Sequence, residues 1–394
     1  MNVTQQSAIL LIKSAITGKP EKLPEEMEFP TVAKLMERQG LTAICYLGAL
    51  NCGIPEEDPT MQHLQDMYCV ALIGSERQME LIQRISQAFE EKGIDHMPVK
   101  GTLMKKLYPD HAMRYMCDAD ILIKEEQYPA IIPIMESLGF QEKGESDHEH
   151  IWKHPFLMVE LHKHLIPSYN KDYYSYFGVG WDLAKLQNGY CWSMTHEDAF
   201  IYDTIHFAKH YRDATANSHF IVDLWMYLRT YPDLDFEYIR HQLSRLKMEA
   251  FLDNILRVTR VWFEASEWDD VADRITNVLL NDDSKKKINE KNAIAQETRA
   301  VEKEGSVKKA RRKQILQRIF LSKEQMAHAY PQFKNLPLPI AWVARWGFTI
   351  GKWGSSIKRE KQKNQTISEK VIENYRQDLE YVGLQFSDNV ALPD

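Results

Sequence analysis

Arg114-Tyr115-Met116-Cys117-Asp118-Ala119-Asp120-Ile121-Leu122-Ile123 constrains this chain more than any other stretch. Two carboxylates stand one residue apart, and an aliphatic run follows them. A strand turns residues i and i+2 to one face, so Asp118 and Asp120 would project together while Ile121 and Ile123 face the other way. Holding two like charges side by side is costly, and a divalent cation with a preference for oxygen ligands, such as Mg²⁺, offsets that cost. Taken alone, D-x-D more often marks a strand end with two solvated acids. The flanking residues bear on the choice.

Upstream, Met97-Pro98-Val99-Lys100-Gly101-Thr102 reads as a short strand and a glycine turn, and Leu103, Met104 and Leu107 follow at helical spacing. Glycine allows backbone N–H groups close to a phosphate, and a helix start favours an anion. Lys100 could add charge and Thr102 a hydroxyl. An ordinary helix boundary has the same look. Downstream, Phe156 to His164 alternates as a strand should, with Leu157, Val159 and Leu161 on one face and Glu160, His162 and His164 on the other. Asp118, Asp120 and Glu160 could then meet across neighbouring strands. Such a triad can hold two Mg²⁺ ions about 4 Å apart for in-line nucleotidyl transfer.

The order Lys-Gly-Thr, then Arg and Asp-x-Asp, then Glu-Leu-His resembles the polymerase-β-type nucleotidyltransferase superfamily. More closely it resembles the bacterial family known as uncharacterised nucleotidyltransferases, over roughly residues 30 to 350. Ile205-His206-Phe207-Ala208-Lys209-His210 and Val222-Asp223-Leu224 share that look. Two departures stand out. Gly-Thr replaces the usual Gly-Ser but keeps a hydroxyl, and Glu160 stands where Asp is commoner. The resemblance implies an α+β fold, with a small mixed β-sheet nucleotidyltransferase core flanked by helical N-terminal and C-terminal regions. It also implies transfer of a nucleoside monophosphate from an NTP to a hydroxyl of a small-molecule, glycan or protein acceptor, with two Mg²⁺ ions. In those terms Asp118, Asp120 and Glu160 are the catalytic acids and metal ligands. Lys100, Gly101, Thr102 and Arg114 bind the nucleotide phosphates, and His162, Lys209 and His210 border the substrate cleft. The alternative on the same fold is a nucleotide-binding or partner-binding regulatory protein without catalysis.

The remaining sequence narrows these possibilities. A formal net charge of −7 over 394 residues supplies no global basic field, which argues against a nucleic-acid partner. The five cysteines form no C-x-x-C pair and read as reduced thiols, with Cys117 as buried apolar filler facing away from the acids. The N-terminus lacks a basic leader, and no uncharged apolar run reaches membrane-spanning length, so a cytoplasmic protein is expected. Residues 206 and 210 form H-x-x-x-H without the Glu of a zinc protease, so zinc is not the expected metal.

Three regions follow from the patterning: helices over 1–92, the nucleotidyltransferase core over 93–180, and a helical region over 181–394. Gly40 should divide the helical stretch 31–50, and Gly93 should end the long helix before the core. The segment after Ile123 reads as a helix, with Pro133 forcing a late start or a kink. Residues 141–150 read as a turn or mobile loop, followed by a hairpin over 151–164. Residues 281–313 are dense in charge and read as a mobile insert or solvated helix. The Trp342 to Trp353 stretch could touch a membrane surface weakly, but burial against the N-terminal helices is the preferred expectation.

Overall fold

A computed structural model describes residues 1–167, 171–264, 266–281, 285–323, 326, 330–333, 335–349 and 367–384. The N-terminal region is helical, with α1 (Val3–Thr17), α2 (Phe29–Arg38), α3 (Thr42–Asn51) and α4 (Pro59–Lys92). Gly40, at φ +70°, separates α2 from α3 as its sequence suggests. Asp58 caps α4 by accepting from the backbone N–H groups of Thr60 and Met61, and Gly93 closes it in the left-handed conformation.

One seven-stranded mixed sheet follows. Its strands are β1 (His96–Val99), β2 (Asp118–Ile123), β3 (Gln141–Glu145), β4 (Glu149–Lys153), β5 (Met158–His162), β6 (Lys185–Asn188) and β7 (Cys191–Ser193). The spatial order is β3-β4-β5-β2-β1-β7-β6. The central β2 pairs parallel with β5 and antiparallel with β1. Short α5 (Gly101–Met104) leaves β1, and α6 (Tyr128–Ser137) links β2 to β3.

The two faces of β2 separate as alternation requires. Ala119, Ile121 and Ile123 join Val159, Leu161 and Trp152 in a core against Ile82, Ile85 and Phe89 of α4 and Ile131 and Met135 of α6. On the opposite face, Met97, Val99 and Leu122 merge into a larger core shared with the N- and C-terminal helices. Asp120 lies on that second face, directly opposite Val99 of β1. The acids are therefore carried where the helical regions meet the sheet.

Helices dominate the remainder: α7 (Lys171–Phe177), α8 (His196–Arg212), α9 (His219–Thr230), α10 (Phe236–Arg245), α11 (Glu249–Phe263), α12 (Asp270–Leu279), α13 (Lys285–Glu304) and α14 (Val307–Ile319). Two further helices span Leu338–Thr349 and Glu369–Tyr381. Thr195 caps α8 through the Asp198 backbone N–H.

Several expectations need correction. Residues 141–150 are not a loop: they supply β3 and the start of β4. Their polar character suits β3, an exposed strand at the sheet edge, where charged side chains block further pairing. The helix after Ile123 starts at Tyr128 with Pro129 in its first turn and Pro133 inside it, so of the two effects expected of Pro133 the late start does not occur. Of the two readings of the charged stretch the helical one agrees with the structure: it forms α13 and α14, and α13 packs on α14 and on the helix Glu369–Tyr381. Trp342 and Trp346 sit beside the end of α14. Their indole N–H groups donate to the carbonyls of Leu321 and Ile319 at the end of α14. Trp353 lies outside the described residues. Cys117 is exposed rather than buried, because β2 begins one residue later at Asp118. Among the described residues no helix is long and apolar enough to cross a membrane.

Candidate active site

The register of β2 against β5 sets Asp120 directly beside Glu160, with Leu122 beside His162 and Asp118 beside Met158. Asp120, Glu160 and His162 form a tight group in which each offers a ligand atom within 4.8 Å of the others. Asp118 sits one step back along the same face and completes the set of three acids without joining that tight group. A fourth acid comes from β4. Glu149, opposite His162 in the ladder, forms a second group with His148 and His162, and His148 Nε2 lies 2.9 Å from its Oε2.

Lys100 sits among these acids. Its Nζ donates to Asp120 Oδ1 at 2.7 Å, and His162 Nε2 lies 2.7 Å from the same oxygen. Lys100 ends β1 and adopts φ 53°, ψ −129°, a conformation that costs an L-residue about 1–3 kcal/mol. The turn thus spends backbone strain to carry an ammonium to the centre of the sheet.

The electrostatics follow from this crowding. Burial disfavours charge on Asp120, yet the Lys100 ammonium and the His162 hydrogen bond hold its carboxyl below the usual range. As a partner Glu160 has only the His162 ring, at 3.7 Å and without a hydrogen bond among the described residues. Burial, then the neighbouring charges of Asp120, Glu149 and Asp118, push it up to about 8. Asp118 is raised by burial and by Asp120. His162 is kept neutral by burial and by Lys100.

A cavity of about 80 Å³ adjoins Lys100 and Gly101 and extends between α8 and α9. Arg114 lines it, but its guanidinium is engaged by Asp223 of α9, with Nε 2.8 Å from Oδ1, and Tyr108 donates to the same oxygen at 2.6 Å. Asp203 and His206 of α8 also line it. Burial and the nearby Asp223 push the Asp203 carboxyl up to about 8. Thr102 is fully buried, and its hydroxyl has no partner among the described residues. His210 lies 2.9 Å from His206 through their Nε2 atoms. Burial and Lys209 drive the His210 ring down to about 4, and Lys209 is itself lowered by burial and Lys100.

A model of the uncharacterised nucleotidyltransferases matches residues 25–264 of this chain. The chain belongs to that family. General nucleotidyl transfer is its activity, and the match runs through both the sheet and α8–α11. No curated protein and no solved structure matches it.

Some residues around the candidate site do not stand out in the strand motifs. Asp203 is the residue of α8 that the sequence reading missed; it stands three residues before His206, whose pairing with His210 at i and i+4 is visible in the sequence, and that spacing is the available signal. Glu149 was hidden because its segment reads as a polar loop. Asp223 was visible in the sequence without a partner to define its role.

Proposed function

We propose that this nucleotidyltransferase is Mg²⁺-dependent and moves a nucleoside monophosphate from an NTP to an acceptor hydroxyl, with Asp118, Asp120 and Glu160 as its metal-holding acids. The observation that carries this reading is the pairing of Asp120 with Glu160 across β2 and β5, with Asp118 on the same face.

The residues present suit a divalent cation. Asp120, Glu160 and His162 offer donors within 4.8 Å of one another. Glu160 and Asp118 carry raised carboxyls, and a divalent cation at those oxygens would remove the cost of ionising them. When bound, the ions would neutralise triphosphate charge and polarise the acceptor hydroxyl.

The chain's own groups divide the work. Glu160, which would be ionised with a divalent cation in place, accepts the proton of the attacking hydroxyl. A bond forms from that oxygen to the α-phosphorus, the bond to the bridging oxygen of the β-phosphate breaks, and pyrophosphate leaves with the electron pair. Lys100, released from Asp120, pairs with a phosphate oxygen, and the Gly101 and Thr102 backbone N–H groups face the triphosphate. Arg114 adds positive charge from the cavity wall, and His162 holds Asp120 in place through the 2.7 Å contact. Lys209 and His210, which lie outside the cavity lining, are assigned to the border of the acceptor cleft through the contact of His210 with His206.

Incubation with α-labelled NTPs and Mg²⁺, against a panel of alcohols, sugars and proteins, tests the proposal. Labelled acceptor with release of pyrophosphate is expected. Nucleotide binding without turnover on any acceptor would favour a regulatory protein on the same fold.

A further inference from the structure

The cavity beside Lys100 holds a carboxyl without a counter-ion. Four ionisable side chains of opposite sign line it: Lys100, Arg114, Asp203 and Asp223. The Lys100 ammonium is neutralised by Asp120 at 2.7 Å, and the Arg114 guanidinium by Asp223 at 2.8 Å. Asp203 makes no hydrogen bond or ion pair among the described residues, although it faces the same space. His206 supplies no cation, since burial and its contact with His210 keep the ring neutral. The rest of the wall is largely apolar, with Phe200, Phe207, Phe220 and Tyr227 prominent.

A carboxyl held without a counter-ion gains most from a cation, because an incoming ammonium lets it release its proton to solvent and ionise. An ammonium pairs with the carboxylate, and the ring faces attract the same charge. We propose that this cavity takes the protonated amine of the acceptor, with Asp203 as its counter-ion, and that the acceptor class is a small amino alcohol. Lys100 lines the cavity and pairs with Asp120, so the cavity adjoins the acid cluster through this one side chain. The amine stays protonated throughout, and only the hydroxyl exchanges its proton for the bond to phosphorus. The word acceptor rests on the nucleotidyl-transfer reading; the amine site does not.

Calorimetric titration of the full chain with ethanolamine and with ethylene glycol, without nucleotide, tests the site. Saturable binding of ethanolamine and none of ethylene glycol is expected. Asp203→Asn should weaken ethanolamine binding roughly tenfold or more, and Asp203→Glu should restore part of it. Absence of ethanolamine binding, equal binding of the glycol, or an unchanged affinity in Asp203→Asn would overturn the proposal. The comparison of the two ligands on the unmodified protein holds even if neither variant folds. No turnover is needed, so failure of this titration leaves nucleotidyl transfer standing, and an inactive transfer assay leaves the amine site standing.

Discussion

Lys100 Nζ and Asp120 Oδ1 lie 2.7 Å apart in a buried ion pair at the centre of the acid cluster. Under the proposed function the ammonium occupies an oxygen that a metal ion would take, and burial of both groups makes the exchange of partners energetically sensitive. Asp120 is stabilised as an anion by Lys100, whereas Glu160 beside it is left protonated over much of the neutral range. Charge in this site is thus distributed unequally between adjacent strands.

Replacing Lys100 by Met should have two effects of opposite kind. The folded protein should lose about 3–5 kcal/mol, the usual cost of leaving one buried partner unpaired. Its affinity for Mn²⁺ in the absence of nucleotide should rise roughly tenfold, because Asp120 no longer has to exchange one cation for another. Urea denaturation and calorimetric Mn²⁺ titration read the two effects separately. An unchanged or weaker Mn²⁺ affinity would show that Lys100 does not compete for the oxygen.

The Arg114–Asp223 pair ties the segment before β2 to α9. Asp223→Ala leaves the guanidinium buried without its partner and should cost about 3–5 kcal/mol. Tyr108→Phe removes only the 2.6 Å hydrogen bond to the same carboxylate and should cost about 1–2 kcal/mol. Shifts in the urea midpoint at constant slope would report both. Equal effects of the two substitutions would contradict the assignment of Asp223 as the counter-ion of Arg114.

Stability without ligand should fall with rising pH because of Asp203. Its folded-state value, about 8, lies above the ordinary 3.8, so the folded protein holds this proton more tightly than the unfolded chain. That contribution is fully present below the unfolded value and is lost as pH rises through about 8, on the order of a few kcal/mol. Glu160 acts in the same direction and over a similar range. Asp203→Asn should therefore flatten the fall in melting temperature toward pH 8 and stabilise the alkaline protein. Parallel pH profiles for the two proteins would contradict a buried, proton-holding Asp203.

Much of this arrangement could be read from local sequence, because strand alternation is a local property. Asp118 and Asp120 against Ile121 and Ile123, and Glu160 and His162 against Val159 and Leu161, follow from period two alone. Gly40 and Gly93 ended helices as glycine chemistry requires. What escaped depended on partners distant in the chain. Glu149 reaches the site because β4 pairs with β5, and its surrounding polarity masks a strand whose neighbour β3 lies at the sheet edge. Asp203 matters through a cavity shared with α9 and the β1–α5 turn, which no single helix pattern contains. Lys100 was recognisable as a charge beside a glycine turn, but its engagement with Asp120 depends on the antiparallel register of β1 and β2.

The most direct measurement is the Mg²⁺-dependent transfer of α-labelled nucleotide to the acceptor panel by the unmodified protein and by Asp118→Asn. Transfer by the unmodified protein should be abolished by chelation, and Asp118→Asn should reduce it by roughly a thousandfold, as expected for loss of several kcal/mol of charge stabilisation. Undiminished transfer by Asp118→Asn would contradict the assignment of these acids to the metal.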